Sequence, residues 1–143
     1  MTAKELYELH MEYSYTYHEY RRAVQFSDLL GKTIVDIFGA SEGSEAIAII
    51  CADGSKYLMY HEQDCCESVD VNDICGDIAC LLNTPLTKAE EVVESHHWED
   101  EDEDDSYTWT FYHLGTVKGY VTIRWHGSSN GYYSESVSLA KIQ

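Results

Sequence analysis

Runs and alternations of apolar residues divide the chain into short segments, most of them strand-like. Residues 33–38 (Thr-Ile-Val-Asp-Ile-Phe) have the β-branched density of a strand and stop at Gly39. The run 46–52 follows the polar loop 41–44 and is the greasiest stretch of the sequence. Asp53-Gly54 is the dipeptide preferred by hairpin turns that need positive φ, so 55–60 is predicted to return as the partner strand. Further on, 107–113 alternates aromatic and hydroxyl residues, 120–126 carries Val121, Ile123 and Trp125 on one face, and 132–139 reads as a final strand. Residues 86–94 fit a strand or a short helix, with strand preferred.

Two segments read as helices. In 1–25, Leu6, Leu9, Tyr13, Tyr17 and Tyr20 recur at three- and four-residue spacing, which predicts a tyrosine-rich N-terminal helix docked on the sheet or on a second copy of the chain. In 71–83, Ile74, Ile78, Leu81 and Leu82 form a helical apolar face, with Asp70 as cap and Asp73 in the first turn. Gly76 weakens that helix or lets a strand approach it closely, and Pro85 ends it. A short helical turn at 27–30 precedes Gly31. The expected fold is a single α+β domain over 26–143: a mostly antiparallel sheet with one main helix at about 71–83 and the N-terminal helical segment. Ile49, Leu58, Ile74, Ile78, Phe111, Val121, Ile123 and Val137 are its expected core.

Charge narrows the function classes. The 143 residues hold 26 Asp and Glu against 9 Lys and Arg, a formal charge of -17. Ten of the 26 acids fall within 90–105, including the unbroken run 99–105, which reads as a solvated acidic loop. Such a balance argues against direct nucleic-acid binding and against anionic membranes, since both need positive charge facing phosphate. No stretch approaches the roughly 18 apolar residues of a membrane span, and residues 1–10 lack the apolar core of a secretory signal. A cytoplasmic protein is expected, with its five cysteines reduced and mostly buried.

The chemically densest segment is 61–67, where His61, Asp64, Cys65, Cys66 and Glu67 are all competent metal ligands. In an extended chain, however, His61 and Cys65 stand about 13 Å apart, and Asp64 and Cys66 face the other way. No Cys-x-x-Cys pair occurs, so neither a metal nor another cofactor is expected. A thiol nucleophile at Cys65 or Cys66 needs a base such as His61, His113 or His126 within reach, and the surrounding carboxylates oppose a thiolate. The structural alternative packs one of these cysteines inward and the other under the helix, with Asp64 and Glu67 bonded to backbone amides. In 125–133, Trp125, Asn130 and Tyr132 join aromatic surface to a Gly-rich loop that suits a small ligand or nucleotide, with Arg124 for a phosphate, but no phosphate-binding glycine motif supports it. No catalytic constellation emerges.

Three stretches carry a resemblance: 61–69 (His-Glu-Gln-Asp-Cys-Cys-Glu-Ser-Val) with Asp73-Ile74-Cys75-Gly76-Asp77, then 107–112 (Tyr-Thr-Trp-Thr-Phe-Tyr), then 129–135 (Ser-Asn-Gly-Tyr-Tyr-Ser-Glu). Together they resemble an uncharacterised family of small proteins encoded mainly by tailed bacteriophages, over roughly 26–139. The resemblance brings no residue role with it. It implies a phage product acting inside a bacterial cell, where strong acidity suits binding to a host protein. The expected function is therefore non-enzymatic binding of a host protein, with small-ligand binding at the 125–133 loop as the alternative.

Overall fold

Thr2 caps the first helix through its side chain. The Thr2 hydroxyl accepts from the Glu5 amide and donates to the Glu5 carboxylate, each at 3.1 Å. The helix it starts, α1 (Ala3–Tyr13), is held to the sheet by its first amide, Ala3 N–H, which donates to Asp36 at 2.8 Å. The computed structural model describes residues 1–13, 21–97 and 106–143. The acidic run 99–105 and the tyrosines at 15, 17 and 20 lie outside the described residues.

Among the described residues nine strands follow: β1 (Arg21–Ala23), β2 (Ile34–Phe38), β3 (Ala46–Cys51), β4 (Lys56–Tyr60), β5 (Ser68–Cys75), β6 (Lys88–His97), β7 (Ser106–Thr116), β8 (Gly119–Ser129) and β9 (Ser138–Ile142). They form two sheets, ordered β1-β9-β4-β3-β2 and β5-β8-β7-β6, with antiparallel neighbours throughout. This is a single α+β domain dominated by antiparallel sheet, as the patterning predicts. It is built as two facing sheets rather than one.

Strand β3 explains its own greasy run. Ile47, Ile49 and Cys51 point into the core between the sheets, alongside Met59, Val71, Val121, Ile123 and Trp125. Ala46 and Ala48 point the other way, with Leu58, Tyr60 and Ala140, and receive Ala3 and Leu6 of α1. Being buried on both faces, the strand has no polar side to show. The small alanines let the helix approach the sheet, and Tyr7 packs edge-on against Phe38 at 5.0 Å. The Asp53-Gly54 turn joins β3 to β4 with Gly54 at φ +85°, as expected of that dipeptide.

The helix expected at 71–83 is not there. Residues 68–75 are strand β5, whose Val69 and Val71 alternate into the core, and only a short 3-10 turn (Ile78–Leu81) follows. Gly76 decides the matter: it sits at φ +112°, outside helical space, and a Cβ there would lie 2.5 Å from the Tyr120 carbonyl oxygen. Asp77, not Asp70, acts as a cap, accepting from the Ala79 amide at 3.0 Å. Ile74 and Ile78 are therefore only half-buried, while Ile49, Leu58, Val121 and Ile123 are buried as expected. The last strand also begins later than predicted, at Ser138, and leaves Val137 half-buried beside the core. Residues 127–129, read as loop, belong to β8.

Strand β7 is the largest reversal. Its alternation is as regular as the sequence promised, but Ser106, Thr108, Thr110, Tyr112 and Leu114 face inward. Tyr107, Trp109, Phe111 and His113 take the outer face, so Phe111 is half-exposed rather than core. The cause lies beneath the hydroxyls. Glu135 is 8 % exposed and accepts from Ser106 (2.7 Å), Thr108 (2.8 Å) and Ser129 (2.6 Å). A buried carboxylate needs such donors, and aromatic side chains cannot supply them. The segment bearing Glu135 crosses directly over Gly127, where a Cβ would meet the Glu135 backbone oxygen at 2.8 Å. Glu135→Ala is expected to cost about 2 kcal/mol in urea unfolding and to open 130–137 to proteolysis, because three charge-assisted bonds are lost together. Unchanged stability and protection would show that the hydroxyls need no carboxylate.

Candidate functional site

Two surfaces collect chemistry-bearing side chains. The first is the outer face of β5-β8-β7-β6, where the register places residues in rows. Val92, Phe111, Arg124 and Asp73 form one row, and Glu94, Trp109, His126 and Asp70 the next. Arg124 stacks over Trp109 at 4.9 Å, and its guanidinium donates to Asn72 Oδ1 at 2.6 and 2.9 Å. His126 packs against Trp109 at 4.5 Å and His96 stacks on Tyr107 at 4.9 Å. The centre of the face is thus aromatic and imidazole, while the flanking strands contribute carboxylates: Glu90 and Glu94 on one side, Asp70 and Asp73 on the other. Arg124 is committed to Asn72 and Trp109 rather than poised for a phosphate.

The second surface is built around 61–67, which is folded back on itself instead of extended. Glu67 Oε1 accepts from the amides of Asp64 (2.7 Å) and Cys65 (3.0 Å), and Gln63 donates to the Glu67 carbonyl at 2.5 Å. That turn carries Glu67 to within 3.6 Å of His61 Nε2, with side-chain exposures of 0 % and 4 %. Burial pushes the Glu67 carboxyl up, but the two amides and the neighbouring imidazole outweigh it and hold the group below its usual value. His61 and Glu67 line a cleft of about 550 Å³ with Tyr60, Asp64 and two residues the sequence did not single out, His10 and Arg21. Arg21 donates to His10 Nδ1 at 2.9 Å and lies over the Tyr60 ring at 4.8 Å. Burial first, and the Arg21 charge second, lower the His10 pKa to about 4, so this histidine is neutral near pH 7.

The remaining predicted residues scatter. Cys65 and Cys66 are both exposed, with their sulfurs in contact at 2.9 Å, so neither packs inward as the structural reading had it. Of the five cysteines, Cys51 alone is buried, which corrects the expectation of mostly buried thiols. The Cys65 contact, then burial, raise the Cys66 thiol above its usual value, which disfavours a thiolate. His113 is bonded to Thr122 at 2.9 Å and His126 packs on Trp109. No group of three or more His, Cys, Asp and Glu side chains that could hold a metal occurs among the described residues. Trp125 is fully buried and offers a ligand no stacking surface. Asn130 Oδ1 accepts from the Tyr132 amide at 3.1 Å, closing a turn, and Tyr132 is 84 % exposed.

A family model described as a domain of unknown function (DUF7448) matches residues 27–139, which run from before β2 into the start of β9 and contain both surfaces except for α1 and β1. The chain belongs to this family. No curated protein and no solved structure matches it. Within the family domain lie Glu67, Glu135 and the outward aromatics of β7, whereas His10 and Arg21 are contributed from outside it. Among the described residues, no helix is long and apolar enough to cross a membrane.

Proposed function

We propose that this protein is a non-enzymatic binding module that docks a partner protein on the outer face of the β5-β8-β7-β6 sheet. One observation carries the reading: β7 turns Tyr107, Trp109 and Phe111 outward and gives the alternating core positions 106, 108 and 110 to serine and threonine. Tryptophan, tyrosine and arginine are the side chains that dominate binding energy at protein interfaces, and Trp109, Tyr107 and Arg124 stand together here. Carboxylates on both flanking strands, and a chain charge of -17, select a partner whose contact patch has an apolar centre and a basic rim. The resemblance to phage-encoded proteins makes a protein of the bacterial cytoplasm the class of partner.

The test begins with affinity capture from bacterial lysate and proceeds to association rates with the captured partner at low and high salt. Wild type should associate more slowly as salt rises, since screening shortens from about 10 Å at 0.1 M to about 3 Å at 1 M. A Trp109→Ala, Phe111→Ala double variant should dissociate at least about tenfold faster, the loss expected of aromatic anchors at the centre of an interface. Amide substitution of all seven acids in 99–105 should slow association and leave dissociation nearly unchanged. Retention of the partner at full affinity by the double variant would overturn the docking face.

A further inference from the structure

Cys65 and Cys66 stand exposed on the 61–67 turn, and partner docking on the β5-β8-β7-β6 sheet makes no use of their thiols. Adjacent side chains of an extended chain point to opposite faces, so being neighbours in sequence does not bring two sulfurs together. The turn does. Glu67 Oε1 accepts from the Asp64 and Cys65 amides, while the Gln63 side chain donates to the Cys65 carbonyl at 3.2 Å and the Glu67 carbonyl at 2.5 Å. These bonds fold the backbone around the pair and hold Sγ to Sγ at 2.9 Å. The Tyr133 hydroxyl, from the loop after β8, is hydrogen-bonded to Cys65 and fixes the pair from outside the turn. Cys66 also lines an open hollow of about 520 Å³ with His126, Ser129 and Asn130, so a small molecule can reach the sulfurs.

We infer that Cys65 and Cys66 form a reversible oxidation site, which a small disulfide entering the hollow converts to a ring disulfide between the two neighbours. Cys65 gives its proton to solvent and attacks one sulfur of the reagent RS–SR, forming a mixed disulfide and expelling RS⁻. Cys66 then loses its proton and attacks Cys65 Sγ, which closes the ring, breaks the mixed disulfide and expels a second RS⁻. The two thiolates take up two protons, so the protein loses two electrons and RS–SR becomes two RSH. The order follows from Cys66. Contact with Cys65 raises its thiol and makes it the poorer first attacker. Once Cys65 is in the mixed disulfide it has no proton or charge to share, and that hindrance is removed. Reversibility follows from adjacency. Neighbouring Cα atoms stand about 3.8 Å apart across a trans peptide, short of the roughly 4.4–6.8 Å of ordinary disulfides, so the ring is strained and readily reduced. The inference does not rest on the docking face.

The test equilibrates the full chain in mixtures of bis(2-hydroxyethyl) disulfide and 2-mercaptoethanol and traps free thiols with N-ethylmaleimide. Cleavage after glutamate then releases 63–67, which holds no other cysteine, for mass measurement. This fragment should pass from two maleimide labels to none, lighter by two hydrogens, as the disulfide share rises, and regain both labels when mercaptoethanol is restored. Cys66→Ser should stop at a stable mixed disulfide on Cys65. A blocked 61–69 peptide has the same two cysteines without Tyr133 or the rest of the fold. Its equilibrium constant for ring closure should be at least about tenfold smaller, a difference of about 30 mV for a two-electron couple. Two labels retained by the full chain in every mixture, or a wild-type mixed disulfide that never closes, overturns the site. Closure as favourable in the peptide as in the folded chain does the same, and a Cys66→Ser protein that stays unmodified overturns the attack by Cys65.

Discussion

Trp125→Ala should lose about 3–5 kcal/mol of unfolding free energy, the usual cost of deleting a large aromatic side chain from a packed core. Trp109→Ala, on the neighbouring strand and directly across the sheet from His126, should lose about 1 kcal/mol, the scale of a cross-strand pair. The contrast follows from burial. Trp125 is 0 % exposed and lies in the core with Val71, Ile123 and Leu139, whereas Trp109 is only half-buried, against Arg124 and His126 on the outer face. A third substitution sharpens the argument. The Trp125 indole N–H is buried with no acceptor among the described residues, so folding already bears the cost of its desolvation. Trp125→Phe removes that donor along with some volume and should cost well below the alanine value. Urea melts of the three variants check this. A small loss for Trp125→Ala with a large one for Trp109→Ala would mean that the two faces of the sheet have been exchanged.

The second large effect is a pH dependence seated at His10. Its folded pKa is about 4 against an ordinary 6.5, because burial and the Arg21 charge both oppose the imidazolium. Arg21 can only donate, so the 2.9 Å contact requires Nδ1 to be unprotonated. Between pH 6.5 and 4 the unfolded chain takes up a proton that the folded protein refuses, and stability falls as pH falls through that window. At about 1.4 kcal/mol per pH unit, up to ~3 kcal/mol is lost by pH 4, on top of whatever the carboxylates contribute. His10→Gln keeps an oxygen for Arg21 but cannot charge. The stability difference between wild type and His10→Gln should therefore be constant above pH 7 and shift by up to ~3 kcal/mol against wild type on descent to pH 4. Parallel stability curves for the two proteins would show that His10 is free to protonate in the folded state.

The strands were largely legible because a strand's side chains alternate and its turns have chemical markers. The segments 33–38, 46–52 and 55–60 correspond to β2, β3 and β4 within a residue or so, and Asp53-Gly54 marks their hairpin. Residues 71–83 misled because Ile74, Ile78, Leu81 and Leu82 satisfy helical spacing by coincidence, while Val69 and Val71 already announce a period of two. Alternation in β7 separates two faces but does not say which is inward. That choice depends on Glu135, almost thirty residues away in sequence, whose need for hydroxyl donors is visible only once the fold brings it beneath Ser106 and Thr108. The same holds for His61 and Glu67. An extended geometry separates them, and the tight turn closed by the Asp64 and Cys65 amides brings them together. His10 and Arg21 carried no local signal, since their meeting is a product of α1 lying on one sheet and β1 joining its edge.

The position of β9 has a consequence for how the chain is made. Ser138–Ile142 pairs on one side with β4 and on the other with β1, so the five-stranded sheet is completed through its interior by the strand that comes latest in its chain order. Until they emerge from the ribosome, β4 presents an open edge and β1 has no neighbour among the described strands. The hairpins β3-β4 and β7-β8 are local and can close during synthesis, but β1 must wait more than a hundred residues for its partner. Such high contact order delays this closure until β9 has been synthesised and leaves the edge of β4 exposed to cellular chaperones in the interval.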